Sequence, residues 1–317
     1  MADRQLWNNQ LRKSQTCTID DFRRVFPDDD ACLDYIMEQR HPGRVAVCEK
    51  CKVERKHYRI AGRKVYSCDH CGTQISPLAG TIFEKSSTDL HKWFHAMYQM
   101  GSTKCGISAK QIQRETGVTY KTAWRMFKQI RTLMSEEISL EGSTVEMDET
   151  YVGGHKKGQR GRPTVQNSKK VPVVGIAERK TDEKKGRVVA RVASNANSKT
   201  LHGMIKEYVL PKTVIYTDEW NGYNGIEKLT DNDGQNRGYQ HRRINHSAGV
   251  YVQGDVHTQA IEGFWSLVKR GIGGAHHAVS AKFLQSYLDE YSFRYNRRDV
   301  ARPMVMQILE RVCERAE

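Results

Sequence analysis

The chain has 317 residues, 38% of them hydrophobic, and its 51 Lys and Arg outnumber 37 Asp and Glu for a formal net charge of +14. At roughly 150 residues per domain this length predicts two or more domains with sizeable cores, which excludes a small disulfide-stapled scaffold. No run of 18 apolar residues occurs and Met1-Ala2-Asp3-Arg4-Gln5 has no apolar core, so a membrane protein and a secretory leader are not expected. The basic excess instead favours a polyanionic partner through counterion release, and a cytoplasmic, nucleoid-associated protein.

Residues 1–40 carry 6 basic and 8 acidic side chains, and the stretch from Ile19 to Met37 reads as helical with a break at Pro27-Asp28-Asp29-Asp30. This predicts an N-terminal helical segment. Residues 41–141 then hold 17 basic against 9 acidic side chains. Within them Cys48-Glu49-Lys50-Cys51 and Cys68-Asp69-His70-Cys71 have the spacing of two thiolate knuckles sharing one structural zinc. A reducing cytosol argues against the alternative of two disulfides, and four thiolates close a tetrahedron without help from His57 or His70. The alternating Lys56-His57-Tyr58-Arg59-Ile60 and Lys64-Val65-Tyr66-Ser67 predict the hairpin of a zinc ribbon over 41–80. Cys17, Cys32, Cys105 and Cys313 read as ordinary buried or half-buried thiols.

Leu90, Trp93, Phe94, Met97 and Tyr98 recur at helical spacing after Ser87-Thr88, which offers an N-cap. Ser108 to Thr116, Gly117 and Val118-Thr119 followed by Tyr120 to Lys128 then read as helix, glycine turn and second helix. A helix-turn-helix is expected over 81–141. It would turn Thr119, Tyr120, Lys121 and Arg125 toward a major groove while Ala123, Trp124 and Phe127 pack inward. A plain three-helix bundle with a solvated basic face is the other reading of the same pattern.

From residue 142 the pattern changes. Thr144 to Val152 alternates, Val171 to Ala177 is nearly continuous apolar sequence, and Arg187 to Ala193 makes a third strand. A helix capped by Asn197 or Ser198 follows, with Leu201, Met204, Ile205, Tyr208 and Val209 on one stripe, and Pro211 stops it. Thr213 to Thr217 then reads as a buried strand delivering Asp218 at its carboxyl end, where open α/β sheets place ligand sites. Three antiparallel strands, a helix, a strand and a later acidic helix predict an RNase H-like domain over 142–275, by analogy of order. The fold class expected is therefore multidomain α+β, with C-terminal helices over 276–317.

Asp148, Asp218 and Glu262 are the candidate acids for two magnesium ions, or manganese, roughly 4 Å apart, the spacing used for in-line phosphodiester displacement. Glu146 or Glu149 can replace Asp148 in this scheme. Lys269 is placed with the acids by helical geometry: seven residues separate it from Glu262, about 20° around the axis, against about 80° from Gln259. Glu262 is preferred to Gln259 as the third ligand, because a carboxylate binds magnesium better than an amide. Each acid also has a bland role, Asp148 at a strand end, Asp218 as a turn cap and Glu262 with Lys269 on a solvated face.

The stretches Met147-Asp148-Glu149-Thr150-Tyr151-Val152-Gly153-Gly154, Tyr216-Thr217-Asp218-Glu219-Trp220-Asn221-Gly222-Tyr223 and Ile261 to Gly271 resemble those of bacterial insertion-sequence transposases of the ISXO type, which are related to Merlin elements. The likeness runs on through Tyr287 to Arg298. The resemblance implies a DDE-type active site that moves DNA, with Asp148 and Asp218 as its first two acids. Hydrolysis at a transposon end would free a 3′-hydroxyl, which then joins target DNA, with Lys269 holding a phosphate. Partners implied are double-stranded DNA, as transposon ends and target, and a second copy of the chain in a dimer or larger assembly. A noncatalytic DNA-binding regulator and a structure-specific nuclease are the alternatives.

Two further features touch DNA in this reading. The loop Lys156 to Pro163 presents Arg160 and Arg162 to phosphate, with AT-hook insertion as the competing reading, and Arg270 adjoins Lys269 on the acidic helix. Gly271 to His277 reads as a flexible link whose His276-His277 has no third metal ligand at suitable spacing. Beyond it, Ser280 is placed to cap a long helix on which Arg294, Arg297 and Arg298 are expected at solvent or facing phosphate.

Overall fold

The computed structural model describes residues 17–153, 170–181, 185–244, 258–300 and 302–314. They fall into two compact units, one of residues 1–133 with 300–317 and the other of residues 134–299.

In the first unit, helix α1 (Ile19–Val25) starts on a capping box, in which the Thr18 side chain accepts from the Asp21 amide and Asp21 reaches back to the Thr18 amide. Helix α2 (Asp29–Arg40) follows the break at Pro27. The ribbon is an antiparallel sheet of β1 (Val45–Val47), β2 (Glu54–Arg59), β3 (Tyr66–Cys68) and β4 (Gln74–Ile75), in that order. Helix α3 (Leu90–Ser102) buries Trp93, Phe94 and Met97 completely, and Phe94 meets Phe26 edge to face at 4.9 Å. Ser87 and Thr88 do not cap it. Asp29, 61 residues back along the chain from Leu90, accepts from the amides of Leu90 and His91 at 3.0 and 2.9 Å.

Helix α4 (Ala109–Thr116) is capped by Ser108 and ends at Gly117 with φ 70°, a left-handed conformation that favours glycine. Helix α5 (Tyr120–Leu133) begins where the Thr119 hydroxyl accepts from the Thr122 amide. Contrary to the sequence reading, Trp124 does not pack inward: it is 36% exposed, and Met126 takes the buried position beside Ala123 and Phe127. Cys105 is likewise exposed.

The second unit is built on a five-stranded sheet of order β7-β6-β5-β8-β9, where β5 is Thr144–Gly153, β6 Lys170–Glu178, β7 Val188–Val192, β8 Val214–Thr217 and β9 Gln240–Arg243. β5, β6 and β7 pair antiparallel, whereas β8 and β9 run parallel to β5. Helix α6 (Ser198–Tyr208) covers one face, its Leu201 and Ile205 packing with Val145, Met147 and Ile215. The other face carries α7 (Gln259–Gly271) and α8 (Ala281–Asn296), whose Ile261, Phe264, Trp265 and Leu288 pack on Val173, Ala177, Val188 and Ala190.

Two expectations in this unit are corrected. Gly271 to His277 is not a loose link, because α7 runs into a wider helical turn over Ile272–His276. Arg294 and Arg297 are structural, not turned to solvent or phosphate, whereas Arg298 is exposed as expected. Arg294 is 7% exposed and binds the buried Glu290 at 2.7 Å, Arg297 binds Glu136 and stacks on Phe293 at 4.0 Å, and Arg298 lies over Tyr295. A charge withdrawn from water needs such a partner, and Arg294 and Arg297 find theirs in Glu290 and Glu136. The last helix, α9 (Met304–Glu314), joins the first unit and packs on α3, where any side chain at Gly101 would meet the Val305 backbone at 2.8 Å.

Candidate active site

The ribbon brings its ligands together locally. In each knuckle the fourth residue after the first cysteine, Lys52 or Gly72, is left-handed and donates its amide to that cysteine's carbonyl, at 2.8 and 3.1 Å. This turn folds both thiols of a pair inward. The sulfurs of Cys48, Cys51, Cys68 and Cys71 all lie within 4.8 Å of one another, with Cys48 and Cys71 3.4 Å apart. Zinc–sulfur bonds of about 2.3 Å in a tetrahedron need sulfurs at roughly this separation, so the four thiolates fit one zinc. Thr73, whose hydroxyl is 3.1 Å from Cys71 Sγ, pulls that thiol down to about 6 and favours the ligand form.

The acids converge across the sheet. Asp148 lies within β5, not at its end, but the parallel register Glu146 to Tyr216 sets it level with Asp218 just beyond β8. The Thr217 hydroxyl donates to the Asp218 carbonyl at 2.8 Å and sits 2.9 Å from Nε2 of His241. Burial, and then Arg243, push His241 down to about 4, so its ring is neutral at physiological pH. Asp218 Oδ1 accepts from the Trp220 amide at 2.9 Å, which turns the chain sharply after the strand.

Asp148 is pushed up to about 7, first by burial and then by the charges of Glu149 and Asp218. Negative groups held together in this way are what a divalent cation relieves, and carboxylate oxygens are the donors magnesium accepts, so Asp148 and Asp218 fit that ion. Glu149 points the other way along the alternation, accepting from the Tyr223 hydroxyl at 2.7 Å.

Helix α7 is tied to Asp148 directly. The Trp265 indole donates to Asp148 Oδ2 at 3.0 Å. Gly175, the partner of Asp148 on β6, makes room for it, since a Cβ there would lie 2.6 Å from the Trp265 ring and 2.7 Å from Ile261. A second tie comes from Glu146. Fully buried, it accepts from the amides of Ala260 and Ile261 at 2.7 and 3.1 Å and pairs with Arg179 at 2.8 Å. Thr258 gives α7 no side-chain cap, so Glu146 takes that role from across the sheet.

Glu262 lies one turn before Trp265 and is exposed, its carboxylate accepting from the Thr258 hydroxyl at 2.7 Å. It does not join Asp148 and Asp218 in a compact three-acid cluster: among the described residues the four cysteines are the one group of three or more such ligands gathered closely enough to hold a metal. Gln259 and Lys269 are exposed on the same helix, and Arg270 folds back to the Ser266 carbonyl at 3.2 Å. Thr119, Tyr120, Lys121 and Arg125 are exposed at the start of α5, with Lys110 over the Tyr120 ring and Arg125 bonded to Ser86. Arg160 and Arg162 fall outside the described residues.

Sequence reasoning weighed Glu146 only as a spare metal ligand. The available signal was a second acid two residues before Asp148 on the same strand face, with Arg179 just past the neighbouring strand; a buried carboxylate needs such a cation.

The chain matches two family profiles, the ISXO2-like transposase domain over residues 139–296 and the transposase zinc-ribbon domain over residues 27–74. It is 31% identical over 287 residues to a protein of Halobacterium salinarum described as an uncharacterized protein in transposable element ISH50, covering 85% of this chain and 90% of the relative. An uncharacterized transposase-like protein of Haemophilus influenzae is 27% identical over 116 residues, 37% of this chain and 86% of that one. Among solved structures, a chain of the simian T-cell lymphotropic virus intasome in complex with PP2A regulatory subunit B56 gamma overlaps 59% of this chain and 64% of its own at 11% identity. The TM-score of 0.28 gives that overlap no weight. No helix among the described residues is long and apolar enough to cross a membrane.

Proposed function

The chain belongs to the family of ISXO2-like transposases that carry an N-terminal transposase zinc ribbon, and on that premise we propose that it is an active DNA transposase, binding the terminal inverted repeats of its element, cleaving at their ends and joining the freed 3′-hydroxyl to target DNA. The observation that carries the chemistry is the level placement of Asp148 and Asp218 on neighbouring parallel strands, with Asp148 pushed up to about 7 by its surroundings. In this reading the sheet, three antiparallel strands extended by two parallel ones, is RNase H-like, and α4, Gly117 and α5 form a helix-turn-helix.

Asp148 and Asp218 would hold magnesium, with Glu262 as a third ligand once its side chain leaves Thr258. When bound there, the metal polarises the phosphodiester and stabilises the departing oxygen. Trp265 keeps Oδ2 of Asp148 in place. Lys269, seven residues beyond Glu262 and exposed, would hold a phosphate near the scissile bond. Double-stranded DNA is the partner, and two ends handled together call for at least a dimer. Thr119, Tyr120, Lys121 and Arg125 are assigned to end recognition, and Arg160, Arg162 and Arg270 to phosphate contact.

The test is a joining assay with labelled duplexes taken from the DNA flanking the element, magnesium and a supercoiled plasmid. Covalent joining of end to plasmid is expected from the wild type. Asp148→Asn and Asp218→Asn should each lower it roughly a thousandfold, the several kcal/mol a metal site is worth, while end binding stays within about twofold. Cleavage that persists in these variants would reject the assignment. Cutting of branched DNA without joining would favour a structure-specific nuclease, and end binding alone a regulator.

A further inference from the structure

Successive side chains of a strand alternate between faces, and registered partners on neighbouring strands share one. Glu146, Tyr216 and Arg242 are such partners across β5, β8 and β9. Glu146 reaches the α7 backbone, so this row lies on the α7 face of the sheet. One step further along the same face come Asp148 and Asp218. Two of the three row members are enclosed, Glu146 at 0% and Tyr216 at 4% exposure, the latter with Arg179 over its ring at 4.1 Å.

Arg242, on the edge strand, is exposed, and its side chain has no hydrogen bond or ion pair to any described residue. With strands about 4.8 Å apart and about 6.7 Å per two residues, its Cα lies roughly 8 Å from that of Asp218, a span an extended arginine side chain covers. Arg243 is its natural contrast. It is registered with Thr217 on the α6 face and bonded to Asn224.

We propose that Arg242 is a phosphate-binding residue of the active face, holding the backbone of the DNA strand whose scissile bond lies at Asp148 and Asp218. The inference rests on the transposase reading. A phosphodiester brought up to a group of carboxylates meets repulsion that the metal offsets only at the bond itself, and the neighbouring phosphates need a cation of their own. A guanidinium suits that task because its planar fork binds two phosphate oxygens at once. Placed on the outer strand, it engages DNA without blocking the space between β8 and α7.

The experiment compares full-length Arg242→Ala, Arg242→Lys and Arg243→Ala with wild type in the joining assay and in salt-dependent binding to the same duplex ends. Arg242→Ala should raise KM for DNA about tenfold with little change in kcat, and should reduce the slope of log affinity against log salt by about one, the signature of one lost phosphate contact. Arg242→Lys should restore the slope and only part of the affinity. Arg243→Ala removes the same charge one residue away and should change neither quantity. Equal behaviour of the two alanine variants, or an unaltered salt slope in Arg242→Ala, overturns the proposal. A wild-type chain that joins no ends removes the transposase reading and this role with it. An active wild type beside an unaffected Arg242→Ala removes only the role of Arg242.

Discussion

The four sulfurs of the ribbon and the carboxylates of the sheet proposed to hold magnesium are assembled differently. Cys48, Cys51, Cys68 and Cys71 come from two short turns joined by one hairpin, and their sulfurs already lie within 4.8 Å of one another. Asp148, Asp218 and Glu262 come from a central strand, the end of another strand and a helix packed on one face of a five-stranded sheet. Asp148 and Asp218 come level only once β5 and β8 have paired, and Glu262 stands apart, bonded to Thr258. The contrast is the one expected if the proposed function holds: a structural site is closed and holds the fold, whereas a catalytic site stays open to the substrate.

The largest effect expected from this contrast is on the ribbon. A structural zinc contributes about 10 kcal/mol or more to the folding of such a domain, and the ribbon has few buried side chains of its own. Zinc chelation or Cys48→Ser should abolish amide-exchange protection across Val45–Cys68. Magnesium chelation should leave the protection of β5, β6 and β8 unchanged. Protection that survives zinc loss in the ribbon would break the comparison.

The same difference decides what could be read from the chain. A CxxC pair gives its geometry away because four residues and a turn suffice to place two sulfurs, and the periodicity of β5, β6, β7, α6 and α8 is just as local. Helix starts were less legible. Both α3 and α7 lack a cap in their own sequence and borrow one, from Asp29 and Glu146, so the residues before them misdirect. β9 escaped notice because Gln240-His241-Arg242-Arg243 has no apolar alternation; an edge strand needs little burial and is held here by its register to β8. Trp124, expected inward with Ala123 and Phe127, lies outside because the periodicity of α5 gives that place to Met126.

A smaller effect tests whether the sheet site depends on its long-range ties. Glu146→Gln keeps an acceptor for the α7 amides but leaves Arg179 without its carboxylate in a buried setting, a loss on the order of 3 kcal/mol. The thermal transition of the sheet unit should fall while zinc content stays the same. Near-ultraviolet circular dichroism of Trp265 reports whether α7 has moved from Asp148, and an unshifted transition would mean that the helix is held by its apolar face alone.

The smallest expected effect concerns the carboxylates themselves. Because the folded chain holds the Asp148 proton up to about pH 7 while an unfolded aspartate releases it near 3.8, the folded state binds more protons between those values. The stability Asp148 contributes is therefore complete below about pH 4, is lost steadily as pH rises toward 7, and is flat above that. Asp148→Asn cannot titrate and still offers Trp265 an acceptor oxygen, so in chelator its melting temperature should match that of the wild type at pH 5 more closely than at pH 8, where the variant should be higher by several degrees. Magnesium should raise the wild-type transition at pH 8 and leave the variant nearly unmoved, since the cation relieves the repulsion only where the charge exists. A melting difference independent of pH would show that solvent reaches Asp148 freely, and the acids would then be no more poised for a cation than any exposed pair.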